Sequence, residues 1–116
     1  MRKQKDNGKN NFLKIPYGLA GIETLYPVML SEARKRGFKI EDVVRWVALN
    51  PAKIFNLYPE YGVIKKGIKA SLVIYNPEKK YKISYKELQT NCDYSIYEGM
   101  TLKGKIEKVI LGDTTI

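Results

Sequence analysis

Histidine is absent from the 116 residues, and cysteine occurs once, as Cys92. The first absence removes the commonest general base at neutral pH and the commonest neutral metal ligand, so acid–base chemistry would fall to carboxylates, lysine or tyrosine. The second excludes an internal disulfide and a thiolate metal cluster within one chain. The twelve acidic residues show no i, i+3 or i, i+4 pair in an apolar setting that suggests a working dyad. No apolar run approaches the roughly 18 residues of a membrane span, and the charged amino terminus has no apolar core behind it as a signal peptide has. A soluble, cytoplasmic protein with no membrane partner is expected. Arginine is scarce too: of 21 basic side chains only Arg2, Arg34, Arg36 and Arg45 are arginine, and the net charge is +9. Two readings of that charge stand side by side, a surface for nucleic acid or an acidic partner, and a solvated, lysine-rich surface. Lysine lacks the planar fork that base and phosphate recognition favours, which leans towards the second.

The chain has the length of one ordinary domain and is too short for a complete eight-stranded barrel of roughly 250 residues. Residues 1–14 are polar and basic without apolar periodicity and read as a tail or long surface loop. IPYGLAG, residues 15–21, holds one proline and two glycines and marks a turn. Leu25, Val28, Met29 and Ala33 recur at helical spacing and predict a helix from about Ile22 to Arg36, with Pro27 in its first turns and Gly37 ending it. A second helix is expected over Ile40–Leu49, with Trp46 as a packing residue. Asn50 and Pro51 then read as the cap and first position of a separate short helix through Phe55, with Ile54, Phe55 and Leu57 as its apolar face. Beyond Pro59 the period turns extended. GVIKKG (62–67) reads as a short strand, SLVIY (71–75) as a buried strand ended by Asn76-Pro77, and KYKI (80–83) as a half-exposed strand. SYKEL (84–88) reads as a helical turn capped by Ser84, residues 90–100 as irregular, and KIEKVIL (105–111) as a strand. A turn at Gly112-Asp113 and the start of a strand follow.

Three segments together carry a resemblance. NPAKIFNL (50–57) followed by GVIKKGIKASLVIYNP (62–77) resembles the Asn-Pro-Ala-x-x-Phe-Gly-Leu helix and Gly-x-Ile-x-x-Gly-x-x-Ala-Asp-Leu-Val strand of cyclic amidohydrolases. GLAGIETLYPVML (18–30) and SIYEGMTLKGKI (95–106) resemble the Gly-x-x-Gly-(Leu or Ile)-Glu-Thr-x-x-Pro-(Leu or Val) and Ser-Pro-Phe-Glu-Gly segments of the dihydroorotase and allantoinase branch. The order is that of the family's C-terminal part, and dihydroorotase-like hydrolysis of cyclic amide C–N bonds, in pyrimidine biosynthesis, is the activity the resemblance implies.

The resemblance implies a mixed α and β fold: residues 15–58 as the terminal helices of a (β/α)8 barrel, and residues 59–116 as the C-terminal strands of a composite β-sandwich. It also implies zinc in the full-length family, held by histidines, a carboxylated lysine and an aspartate, all falling outside this chain. No cofactor and no catalytic residue is therefore expected within it, and the chain alone is expected to be inactive. Tyr17 and Gly18 match the positions whose backbone groups meet the cyclic substrate in dihydroorotases, with tyrosine where the family usually has proline. Other departures are Ser71 for aspartate, Lys39 for a Ser or Thr cap, and Ile96 for proline. The implied partners are an upstream barrel polypeptide, or further copies of the chain joined through open strands. A cyclic amide would bind only with the barrel supplied. The alternative is a basic nucleic-acid or protein-binding module without catalysis, which the scattered lysines disfavour.

Overall fold

The computed structural model describes residues 3–116. Two helical layers precede a three-stranded antiparallel sheet of order β1-β2-β3, with β1 at Ser71–Lys82, β2 at Thr101–Leu111 and β3 at Thr114–Thr115. The mixed α and β class expected from the sequence is observed. The radius of gyration is 16.8 Å, against about 13 Å for a compact 100-residue domain. Among the described residues no helix is long and apolar enough to cross a membrane.

Residues 3–14 hold more local structure than their composition announces. Helix α1 covers Lys3–Asp6 and a 3-10 turn covers Phe12–Lys14, opened by the Asn11 side chain accepting the Leu13 N–H at 3.0 Å. Gly8 lies against Ile15, where a Cβ would fall 2.0 Å from Ile15 Cγ1. Residues 1 and 2 of the expected tail lie outside the described residues.

Helix α2 runs Ile22–Lys35 and ends in a Schellman motif. Gly37, at φ +80, donates to Arg34 O, and the Phe38 N–H donates to Ala33 O. The buried stripe is Thr24, Pro27, Leu30, Ser31 and Ala33; of the Leu25, Val28, Met29 and Ala33 stripe read from the sequence, Ala33 is buried and Met29 packs against the core, whereas Leu25 is more than half exposed. The reason is local. Leu30 and Ala33 pack with Val43, and Tyr26, Met29, Val47 and Tyr75 close around them, so the small residues Ser31 and Ala33 bring the helix close to its neighbours. Pro27 sits in the second turn, among the first turns where the sequence put it.

The second and third helices of the sequence reading are one continuous rod. Helix α3 (Ile40–Val44) passes through a π-helical turn at Arg45–Leu49 into helix α4 (Asn50–Ile54). Asn50 is itself helical and donates its N–H to Arg45 O, so it is no cap. A proline inside an α-helix clashes with the carbonyl four residues back; the wider π turn immediately before Pro51 accommodates it without a break. Lys39 supplies no side-chain cap, but its N–H donates to Asp42 Oδ2 at 3.1 Å, keeping half of a capping box. The rod ends as α2 does, here with Asn56 at φ 56 and the Leu57 N–H on Ala52 O at 2.7 Å. Trp46 packs edge-on to Phe38 at 5.1 Å.

Residues 62–67 form turns, not the expected strand; Gly62 and Gly67 both have positive φ, and Ile64 is 86% exposed. Strand β1 is longer and less buried than SLVIY implied. It continues through Asn76-Pro77 because the register slips between Asn76 and Lys80, and the bulge takes up the residues that a regular ladder would reject. The 3-10 turn at Tyr85–Glu87 is not capped by the Ser84 side chain; instead the Glu98 carboxylate accepts the Tyr85 N–H at 2.7 Å.

Candidate functional site

The turn read from Ile15 to Gly21 lies between the 3-10 turn and the first residue of α2. Its entry is fixed by the Ile15 N–H on Phe12 O, and its exit by Thr24 Oγ1 on Gly21 O at 3.1 Å. Between them Tyr17 stands 92% exposed. Gly18 has φ +77 with nothing within 4 Å of a Cβ position, so glycine is required there by backbone angle and not by crowding. Both residues border a hollow of about 300 Å³, floored by Lys5 and Tyr94.

Lys5 is the residue that organises this turn. Its ammonium donates to the carbonyl oxygens of Pro16 and Gly18, the latter at 2.7 Å, and lies 6.0 Å from the centre of the Tyr94 ring. Sequence reasoning placed Tyr17 and Gly18 correctly in one turn but missed Lys5, which sits in the basic stretch and has no distinguishing signal, and Tyr94, which sits 76 residues beyond Gly18 in the irregular segment.

Glu23, the next carboxylate along the chain, anchors the start of α2 and does not enter the hollow. It accepts the Gln89 N–H at 3.0 Å, the Thr90 N–H at 2.9 Å and the Thr90 hydroxyl at 2.8 Å. Partial burial raises its pKa, but the Gln89 N–H and the two Thr90 donors outweigh that, and the net shift is downward. A carboxylate held charged by three donors is a clamp and a poor proton acceptor. No group of three or more His, Cys, Asp or Glu residues able to hold a metal ion exists among the described residues. The residues present therefore do not fit the zinc centre that the resemblance implies.

Two larger hollows lie elsewhere. One, of about 570 Å³, runs between the α3–α4 rod and β1, with Val47, Phe55, Ile64 and Val73 on its walls. The other, of about 610 Å³, lies by Tyr61, Lys69 and Leu111. Several apolar side chains are open to solvent: Ile22 is 95% exposed and Phe55 71%.

Comparison with known proteins agrees along nearly the whole chain. The profile of the amidohydrolase family matches residues 6–116. A D-hydantoinase of Rhizobium radiobacter is 34% identical over 107 residues, 92% of this chain and 23% of the relative. Dihydropyrimidinase 1 of Caenorhabditis elegans is 39% identical over 111 residues, 93% of this chain and 22% of the relative. The crystal structure of dihydropyrimidinase from Brevibacillus agri superposes with a TM-score of 0.90 at 30% identity, over 97% of this chain and 25% of that one. The chain thus spans about a quarter of the length of these relatives. Their names place the similarity among hydantoinases and dihydropyrimidinases, a different cyclic-amide branch from the dihydroorotase and allantoinase segments that the motifs resembled.

Proposed function

Because the chain belongs to the amidohydrolase family, we propose that it forms the C-terminal quarter of a cyclic amidohydrolase of the hydantoinase and dihydropyrimidinase kind. Residues 15–58 would close the barrel and residues 59–116 would supply part of the β-sandwich; the change from helices to strands between Ile54 and Ser71 supports that division. The substrate class is a five- or six-membered cyclic amide whose C–N bond is hydrolysed, as the relatives' names suggest. Branch identity moves accordingly from the dihydroorotase reading towards the hydantoinase one.

The turn holding Tyr17 and Gly18 carries this reading. It offers an open backbone beside a hollow, in a chain without histidine. This chain's part is then to present polar backbone groups to the ring, while residues outside it would hold a metal, which would supply the activation of water. The exposed Ile22, Phe55 and Ile64 support a covering partner. We expect that partner to be a barrel polypeptide, with pairing of open strands between copies as the competing outcome.

The test is reconstitution. The purified chain is mixed with zinc and the complementary three quarters of a D-hydantoinase, then assayed against hydantoin and 5,6-dihydrouracil. Turnover by the mixture and none by either part supports the proposal. Absence of both association and turnover removes it, and turnover by the chain alone contradicts it. The nucleic-acid alternative gains nothing from the structure, since Lys53 and Lys105 lie over the rings of Tyr58 and Tyr81 on separate elements instead of forming one basic track.

A further inference from the structure

Lys5 donates to two carbonyls, Pro16 O and Gly18 O, that flank Tyr17 and are two peptide units apart. Neither of those peptide bonds is cis, since Tyr58-Pro59 is the cis bond among the described residues. In a planar trans peptide the N–H points opposite to the C=O. The Tyr17 N–H shares a plane with Pro16 O, and the Leu19 N–H shares one with Gly18 O. Both N–H groups are consequently turned away from the ammonium, and neither donates to another backbone group among the described residues. The glycine between them, at φ +77, lets the two carbonyls converge on a single cation. A positive charge on each carbonyl also polarises its amide and strengthens the opposite N–H as a donor.

We propose that Lys5 is a positioning residue: by gathering the Pro16 and Gly18 carbonyls it fixes the Tyr17 and Leu19 N–H groups in diverging, outward directions, each available as a donor to a separate polar group of the cyclic amide. The inference rests on the reading that this turn meets substrate, but the positioning itself is measurable without it. Tyr94, beneath the ammonium, ties the arrangement to the segment before β2.

Amide NMR of the full chain tests it. In the unaltered chain Tyr17, Gly18 and Leu19 should have backbone order parameters of about 0.85, as in rigid backbone. Lys5→Met should lower them to about 0.6 or below and move the Tyr17 and Leu19 amide resonances together; Lys5→Arg should restore both, and Lys9→Met should change neither. A mobile turn in the unaltered chain, or resonances unmoved in Lys5→Met, overturns the proposal. In the reconstituted enzyme, loss of one aligned donor should raise KM for 5,6-dihydrouracil by roughly three- to tenfold with kcat nearly kept. Should the amides respond as stated while reconstitution gives no turnover, the positioning role stands and the functional reading fails. An unchanged KM in an active Lys5→Met complex overturns the positioning role and leaves the functional reading intact.

Discussion

The Glu23 carboxylate grips Thr90 twice, through its backbone N–H at 2.9 Å and its hydroxyl at 2.8 Å, and takes the Gln89 N–H as well. Sixty-seven residues of chain are closed by this clamp. It fixes where α2 begins, and so where the turn at Tyr17 ends, relative to the irregular segment that carries Tyr94.

Replacing Glu23 with alanine should therefore cost more than a surface carboxylate does. Hydrogen bonds to a charged group contribute about 1.5–3 kcal/mol where buried, and the site is only partly covered, so a loss of about 1–2 kcal/mol in urea unfolding is expected. The pH dependence has a definite sign. The folded pKa lies below the ordinary carboxylate value of 4.5, so the clamp's contribution is complete above 4.5 and disappears as pH falls through the folded value. Glu23→Gln should flatten the acid limb of the stability curve. An acid limb identical to that of the unaltered chain would show that the clamp is not populated in solution.

Glu78 provides a contrasting case. It joins Arg34 at 2.6 Å and Lys103 at 2.9 Å, and these partners bring its pKa down to about 2. The shift is large, but the side chain is exposed, and exposed pairs are screened by water and salt. We expect a carboxyl titration by ¹³C NMR to find the midpoint near 2 at low ionic strength and to move upward in about 1 M salt. Stability linked to Glu78 should fade between pH 4.5 and about 2. Arg34→Ala should destabilise more than Glu78→Gln, because Arg34 also donates to the Pro77 carbonyl at the bulge of β1.

Gly104 in β2 allows no side chain. A Cβ there would fall 1.7 Å from Tyr75 Oη and 2.4 Å from Tyr75 Cζ, and its φ is +104. Overpacking costs about 1–3 kcal/mol and a non-glycine residue in such a conformation about 1–3 more. Gly104→Ala should lose roughly 2–6 kcal/mol in chemical denaturation. Tyr75→Phe should not rescue it, since the ring carbon remains in the way; recovery in the double variant would mean that the hydroxyl alone is the obstacle.

Much of the architecture was legible because it rests on local chemistry. Gly37 ends α2, Gly112 turns β2 into β3, and the turn of residues 15–21 is where proline and glycine put it. What misled was punctuation overruled by context. Asn50-Pro51 and Asn76-Pro77 read as breaks, yet a π turn absorbs the first and a bulge the second. Apolar residues misled for another reason. Leu25, Ile54 and Phe55 lie on faces that periodicity marks as apolar, and all three are exposed. Periodicity tells which side of an element is apolar but is silent about what covers it. Lys5 could not be singled out, because a lysine among lysines reveals itself only by the two carbonyls it meets.

Those exposed apolar residues allow a final prediction that separates folding from assembly. Ile64 and Phe55 line the hollow of about 570 Å³ between the α3–α4 rod and β1, and neither contributes to the buried cluster of Leu30, Ala33 and Val43. Replacing an exposed side chain changes stability by about 0.5 kcal/mol or less. Ile64→Asp and Phe55→Asp should therefore leave the urea midpoint of the isolated chain unchanged. If the hollow is an assembly surface, the same charges should weaken association severely, because an unpaired carboxylate would be buried on docking. Light scattering and the reconstitution assay read this directly: self-association or complex formation, with turnover, should drop at least tenfold while the chain's own unfolding curve stays in place. Association at the original strength in both variants would assign the assembly surface to another face, with the helix start at Ile22 and Leu25 the next to test.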